Sequence, residues 1–114
     1  MLLVDDCANV REVISRLLRR ARFCVIEAAS GEGAVEILSR LPVDIILTDV
    51  HMPDGDGIFL RDRVNALFPG TPVLLMTGDV RLSRAANFSG FSGIIEKPID
   101  AWSLPHDLRG LLSR

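Results

Sequence analysis

The chain is poor in the residues that announce a specialised class. Of its 114 residues only 2 are cysteine, and Cys7 and Cys24 form neither a CxxC pair nor a disulfide framework. Cys24 lies in an apolar, strand-like run and reads as a small core residue. No apolar stretch approaches the roughly 20 residues of a membrane span, and none has the layout of a signal peptide, so a cytoplasmic protein is the default. Charge of one sign is also lacking. Against 15 acidic residues stand 13 basic ones, a formal net charge of −2 that implies no general affinity for nucleic acid. Lysine is almost missing: among those 13 basic residues Lys97 is the one lysine. Either this is chance in an arginine-rich chain, or the position needs a compact ammonium that reaches one oxygen rather than a planar fork. No repeat, low-complexity tract or internal linker interrupts the chain, and a single domain over residues 1–114 is expected.

What is present is a series of short apolar runs that end on polar residues. Leu2-Leu3-Val4 ends on Asp5-Asp6, Ile45-Ile46-Leu47 on Thr48-Asp49, Val73-Leu74-Leu75-Met76 on Thr77, and Gly93-Ile94-Ile95-Glu96 on Lys97-Pro98. Amphipathic stretches separate them. Asn9 followed by Glu12 reads as a helix cap. Val10, Val13, Ile14, Leu17, Leu18 and Ala21 recur at helical spacing behind it, to about Arg20. Phe23–Ala28 reads as a strand. Ser30 reads as the cap of a helix to about Ser39, with Ala34, Val35, Leu38 and Leu41 inward and Pro42 as the stop. A third helix is expected from about Ile58 to Phe68, closed by Pro69-Gly70, then a strand over Pro72–Met76. A short helix is expected around Arg81–Asn87, a strand over Gly93–Glu96, and a last helix to about Ser113. The connections are too short for anything but parallel strands joined by crossover helices, so the fold class is α/β, one doubly wound domain.

In such a sheet the C-terminal ends of the strands share one edge, where open α/β folds bind ligands. Asp5, Asp6 and Asp49 would then meet. Unit charges about 4 Å apart repel by roughly 4 kcal/mol at an effective dielectric near 20, so the cluster calls for a cation. Hard oxygen ligands that leave room for water and phosphate oxygens suit Mg²⁺ rather than Zn²⁺. A metal, a carboxylate, a hydroxyl and a lysine form a coherent set for phosphoryl transfer, which asks mainly for positioning and charge neutralisation. Asp49, at the end of the central run, is the candidate nucleophile. Thr77 and Lys97 are candidates for holding phosphoryl oxygens. Each has an ordinary alternative: an acidic turn beside an unrelated surface Asp, a helix-capping Thr77, a solvated Lys97.

Leu3-Val4-Asp5-Asp6, the run Asp49-Val50-His51-Met52-Pro53-Asp54-Gly55-Asp56-Gly57, Met76-Thr77-Gly78 and Lys97-Pro98 together resemble the receiver domain of bacterial two-component response regulators. The resemblance covers essentially the whole chain. It implies a flavodoxin-like (βα)5 fold with a five-stranded parallel sheet in the order 2-1-3-4-5. It further implies that Asp49 accepts a phosphoryl group from a sensor histidine kinase or a histidine phosphotransfer protein. By the same resemblance Asp6 and Asp49 bind Mg²⁺ directly, Asp5 acts largely through water, and His51 contributes its backbone carbonyl. The first helix is where the family docks its histidine-bearing partner, and here Arg11, Ser15, Arg19 and Arg22 share a face of it beside Leu18. Two departures stand out. Cys7 occupies a position that is often acidic, and Ile94 stands three before the lysine, where the family usually has an aromatic ring; the chain has no tyrosine. A β-branched Ile94 does not reproduce a ring rotation.

The expected activity is that of a phosphoacceptor rather than an enzyme, limited to its own phosphorylation and dephosphorylation. It would alter the binding of a downstream protein target, with no direct contact to nucleic acid or membrane. The alternative is a receiver-like interaction module that works without phosphorylation. A Mg²⁺-dependent phosphatase on small substrates is a third reading, and no strand run ends directly on an Asp-x-Asp nucleophile motif to support it.

Overall fold

A computed structural model describes residues 1–49, 57–77 and 90–96. In chain order its elements are β1 (Leu2–Val4), α1 (Ala8–Arg20), β2 (Ile26–Ala28), α2 (Gly31–Leu38), β3 (Ile46–Asp49), α3 (Gly57–Leu67), β4 (Val73–Thr77) and β5 (Gly93–Glu96). The strands form a 5-stranded parallel sheet in the order β2-β1-β3-β4-β5, as the resemblance implies. The segments expected to hold a short helix around Arg81–Asn87 and the last helix lie outside the described residues.

The strands alternate sides as the two-residue period demands. Leu2, Val4, Ile46 and Val73 pack with Ala34, Leu38, Leu60 and Val64 on the face covered by α2 and α3. Leu3, Ile45, Leu47, Leu74 and Met76 point the other way and pack on Ile14 and Leu18 of α1. With both faces covered, β1, β3 and β4 read as continuous apolar runs rather than alternating ones. Leu75 completes a smaller cluster with Ile58, Phe91 and Ile94.

Several local expectations are corrected. Asn9 is not the cap of α1. Cys7 holds that position with extended backbone and no side-chain bond, while the Asp5 carboxylate accepts from the Cys7 N–H at 3.0 Å and so satisfies one of the backbone donors at the helix start. Cys24 is exposed rather than in the core, because β2 starts only at Ile26. The residues before it serve the end of α1. Phe23 N–H donates to the Leu18 carbonyl and Arg22 N–H to Arg19, each at 3.0 Å, with Arg22 at φ 72. That pair of bonds is a Schellman ending.

The third correction concerns the face of α1. Val10 is 38% and Val13 59% exposed, whereas Ser15 is buried. The inward stripe runs through Ile14, Ser15 and Leu18, turned from the stripe expected by roughly a quarter turn at 100° per residue. Leu41, also expected inside, is 47% exposed beyond the end of α2. Ser30 caps α2 as expected, its Oγ accepting from the Gly33 N–H at 3.0 Å.

Candidate functional site

Parallel strands put their polar ends on one edge of the sheet. Asp5 follows β1 directly, Asp49 closes β3 and Thr77 closes β4. In register Val4 lies beside Thr48, and Asp49 beside Met76, so the acid turn and Asp49 come from adjacent strands. Asp5, Asp6 and Asp49 each offer a carboxylate oxygen, and these atoms lie within 4.8 Å of one another.

The members of this cluster differ in setting. Asp5 is 1% exposed, Asp49 is half-buried, and Asp6 is exposed. Asp5 is held at both ends: its backbone N–H donates to the Ala28 carbonyl at 3.1 Å, and its carboxylate accepts from Cys7. Thr48, fully buried, donates from Oγ1 to the Asp49 carbonyl at 2.9 Å and fixes the strand end. Two oxygens on opposite sides of a Mg²⁺ ion stand about 4.2 Å apart, twice the usual Mg–O distance. An all-carboxylate set of this span, open on the Asp6 side, therefore fits a hard dication that keeps some of its waters.

Thr77 is the last residue of β4, one step beyond the partner of Asp49, and pairs with Glu96. Lys97 is the next residue after Glu96 in the sequence. Lys97 and His51 lie outside the described residues, so of the predicted set the structure brings together Asp5, Asp6 and Asp49 and sets the backbone of Thr77 on the same edge.

Sequence reasoning missed what stands behind the acid turn. Arg11 donates from Nη1 to the Asp5 carbonyl at 2.8 Å and from Nε to Glu27 Oε1 at 3.2 Å. Ser15 and Arg19 approach the other Glu27 oxygen at 3.5 and 3.6 Å. The face holding Arg11, Ser15 and Arg19 is thus turned onto β2. The exposed large apolar residues of α1 are Val10 and Val13. The apolar positions Val10, Val13, Ile14, Leu17 and Leu18 form one ordinary stripe, so the periodicity itself carries no signal of this roll.

Comparison with known proteins agrees with this geometry. The family model described as the response regulator receiver domain matches residues 1–109. The response regulator protein PilR of Pseudomonas aeruginosa is 34% identical over 101 residues, which are 87% of this chain and 23% of PilR. The autoinducer 1 sensor kinase/phosphatase LuxN of Vibrio campbellii is 30% identical over 115 residues, covering 100% of this chain and 14% of LuxN. The chain therefore spans less than a quarter of the length of these relatives. Among solved structures, the chemotaxis response regulator CheY4 of Vibrio cholerae superposes with a TM-score of 0.89 at 27% identity, over 96% of this chain and 95% of CheY4.

The chain belongs to the response regulator receiver domain family. It is a signalling domain of the phosphorelay type, and among the described residues no helix is long and apolar enough to cross a membrane.

Proposed function

We propose that Asp49 is the phosphoryl acceptor of this receiver domain and that Asp5, Asp6 and Asp49 hold Mg²⁺ while it is loaded. The observation that carries the reading is the convergence of these carboxylates at the C-terminal edge of the sheet. A partner histidine supplies the phosphoryl group. An Asp49 carboxylate oxygen forms the new bond to phosphorus as the bond to the histidine nitrogen breaks, and the proton balance is closed on the released imidazole. When bound, Mg²⁺ supplies positive charge that offsets the carboxylates and the phosphoryl oxygens.

The chain's own residues do the rest. Asp5, buried and held by the Ala28 carbonyl and the Cys7 N–H, is the fixed member of the metal set; exposed Asp6 faces the open side. Thr77 is assigned a hydrogen bond to one phosphoryl oxygen, Lys97 an ion pair with another, and the His51 carbonyl a place on the metal. The register supports the first of these, since Thr77 adjoins the strand that carries Asp49. The donor is a histidine kinase or a phosphotransfer protein. Val10 and Val13, apolar and exposed on the first turns of α1 beside the acid turn, suit its docking. Autodephosphorylation through water at the same site completes the cycle, in the cytoplasm.

Incubation with Mg²⁺ and acetyl phosphate, followed by the mass of the intact protein, tests the assignment. One acid-labile phosphoryl adduct is expected, absent with EDTA and absent in Asp49→Asn. An adduct that persists in Asp49→Asn, or none in the wild type, would refute it.

A further inference from the structure

Five ion pairs are seen among the described residues, and most are ordinary surface pairs. Arg16–Glu12 and Arg40–Glu36 are i,i+4 contacts with side chains 58–74% exposed, of the kind that contributes little. Arg11–Glu27 differs. Its side chains are 20% and 31% exposed, it joins α1 to β2, and its arginine also grips the backbone of the acid turn.

The contact with that backbone is the informative one. The Asp5 carbonyl belongs to the peptide plane that leads into Asp6, and a peptide unit is rigid. Fixing the oxygen of that plane fixes the direction from which the Asp6 Cα departs, and with it the reach of the Asp6 carboxylate. Asp6 is exposed and would otherwise be the loosest member of the cluster. Arg11 can act this way because its planar fork presents Nε and Nη1 to two acceptors at once: Glu27 Oε1 on β2 and the Asp5 carbonyl after β1. Glu27 is in turn held from its second oxygen by Ser15 and Arg19. The strand carrying it is in register with β1, Glu27 beside Leu3.

We propose that Arg11, anchored by Glu27, is a positioning residue for the metal set: it orders the Asp5–Asp6 peptide so that both carboxylates face Asp49 before the ion arrives. The inference rests on the Mg²⁺ reading above. Charge and geometry make opposite demands here. Loss of the Arg11 cation alone would leave the acid cluster more negative and favour a dication, whereas loss of the clamp would disorder Asp6 and weaken binding. Variants that conserve charge separate the two.

Arg11→Lys keeps the cation and loses the fork. The double variant Arg11→Met, Glu27→Gln removes the pair with no net change in charge. Titrating each folded protein with Mg²⁺ by calorimetry is expected to give a dissociation constant raised about 10-fold over the wild type, the lower end for lost outer-sphere support of a metal site. Labelling by acetyl phosphate should recover at saturating Mg²⁺, because Asp49 itself is untouched. A helix-packing role would lower the melting temperature in EDTA and leave the Mg²⁺ constant alone. Wild-type Mg²⁺ constants in both variants overturn the inference and leave the phosphoacceptor assignment standing. A wild-type protein that takes up no Mg²⁺ overturns the metal reading itself.

Discussion

Asp6→Asn offers a sharp test of the carboxylate cluster, because it separates what the site costs from what it binds. Asp6 is exposed, and among the described residues its side chain makes no hydrogen bond, so asparagine forfeits no contact there. Its two carboxylate neighbours lie within 4.8 Å, where Coulomb's law gives roughly 0.9 kcal/mol per pair at the dielectric of water and roughly 3.5 kcal/mol at an effective value of 20. Exposure keeps Asp6 near the lower figure, and screening trims it further. Relief of the repulsion then stabilises the metal-free protein by about 1 kcal/mol, a rise of about 3–5 °C in Tm for a chain of this size. Mg²⁺ reverses the ranking. At 100 times its dissociation constant the ion stabilises the wild type by about 2.7 kcal/mol. A variant that binds about 100-fold more weakly gains only about 0.4 kcal/mol under the same conditions. Thermal melts in EDTA and across a Mg²⁺ series should therefore cross, with the variant ahead without metal and behind with it. Because the Debye length is about 3 Å at 1 M salt, the EDTA advantage should fade there. A variant no more stable than wild type in EDTA, with curves that never cross, would refute the idea that these carboxylates are forced together to hold a dication.

Two further predictions concern α1. Arg22 closes the helix at φ 72, a left-handed conformation that costs an L-residue about 1 kcal/mol and glycine almost nothing, so Arg22→Gly should raise Tm by a few degrees; an unchanged or lower Tm would contradict the strain. Val13 is 59% exposed beside the acid turn, and Val13→Glu should slow phosphotransfer from a histidine donor at least several-fold while leaving acetyl phosphate labelling at the wild-type rate. Equal slowing of both reactions would move Val13 from docking to structure.

The strands and the acid edge were legible because each rests on a strong local signal. Ile45-Ile46-Leu47 suits a strand buried on both faces, as in the middle of a parallel sheet, and Asp49 after it then stands on the ligand edge. Ser30 was legible for a similar reason, as a hydroxyl three residues before the N–H it accepts. Where structure and sequence pattern differ the cause is shared: a distant group fills a role that the local sequence assigns to a near neighbour. Asn9 and Glu12 have capping-box spacing, but the Asp5 carboxylate reaches the Cys7 N–H first and starts the helix earlier. Cys24 lies in an apolar run of which only Ile26–Ala28 becomes strand β2, and its side chain stays exposed. Arg11 and Ser15 look like a solvated face until Glu27 arrives from β2, a contact spanning 16 residues for Arg11 that periodicity does not report. With Arg11 and Ser15 drawn to the sheet, α1 rolls and Val10 and Val13 come out to solvent.

On the proposed assignment of Asp49, that roll links recognition to chemistry. A histidine donor would have to bring its phosphoryl group into line with Asp49, so its docking surface would lie within a few residues of the acid turn. Val13 follows Asp6 by 7 positions, about 10 Å along a helix that starts at Ala8. Were α1 oriented as its apolar pattern alone suggests, Val10 and Val13 would be spent on the core and the outward face would be arginine, paired and heavily hydrated. The Glu27 network prevents this by satisfying Arg11 and Ser15 on the sheet side, where a bare cation and hydroxyl would be expensive to bury. One carboxylate on β2 thus does two things through the same helix: it anchors the arginine that grips the acid turn, and it leaves an apolar pair facing the solution beside that turn. The two uses are physically separable. Arg11→Lys acts on the grip and spares Val10 and Val13, and Val13→Glu does the reverse. The first should alter Mg²⁺ uptake with any donor, whereas the second should matter only to a donor large enough to touch the helix.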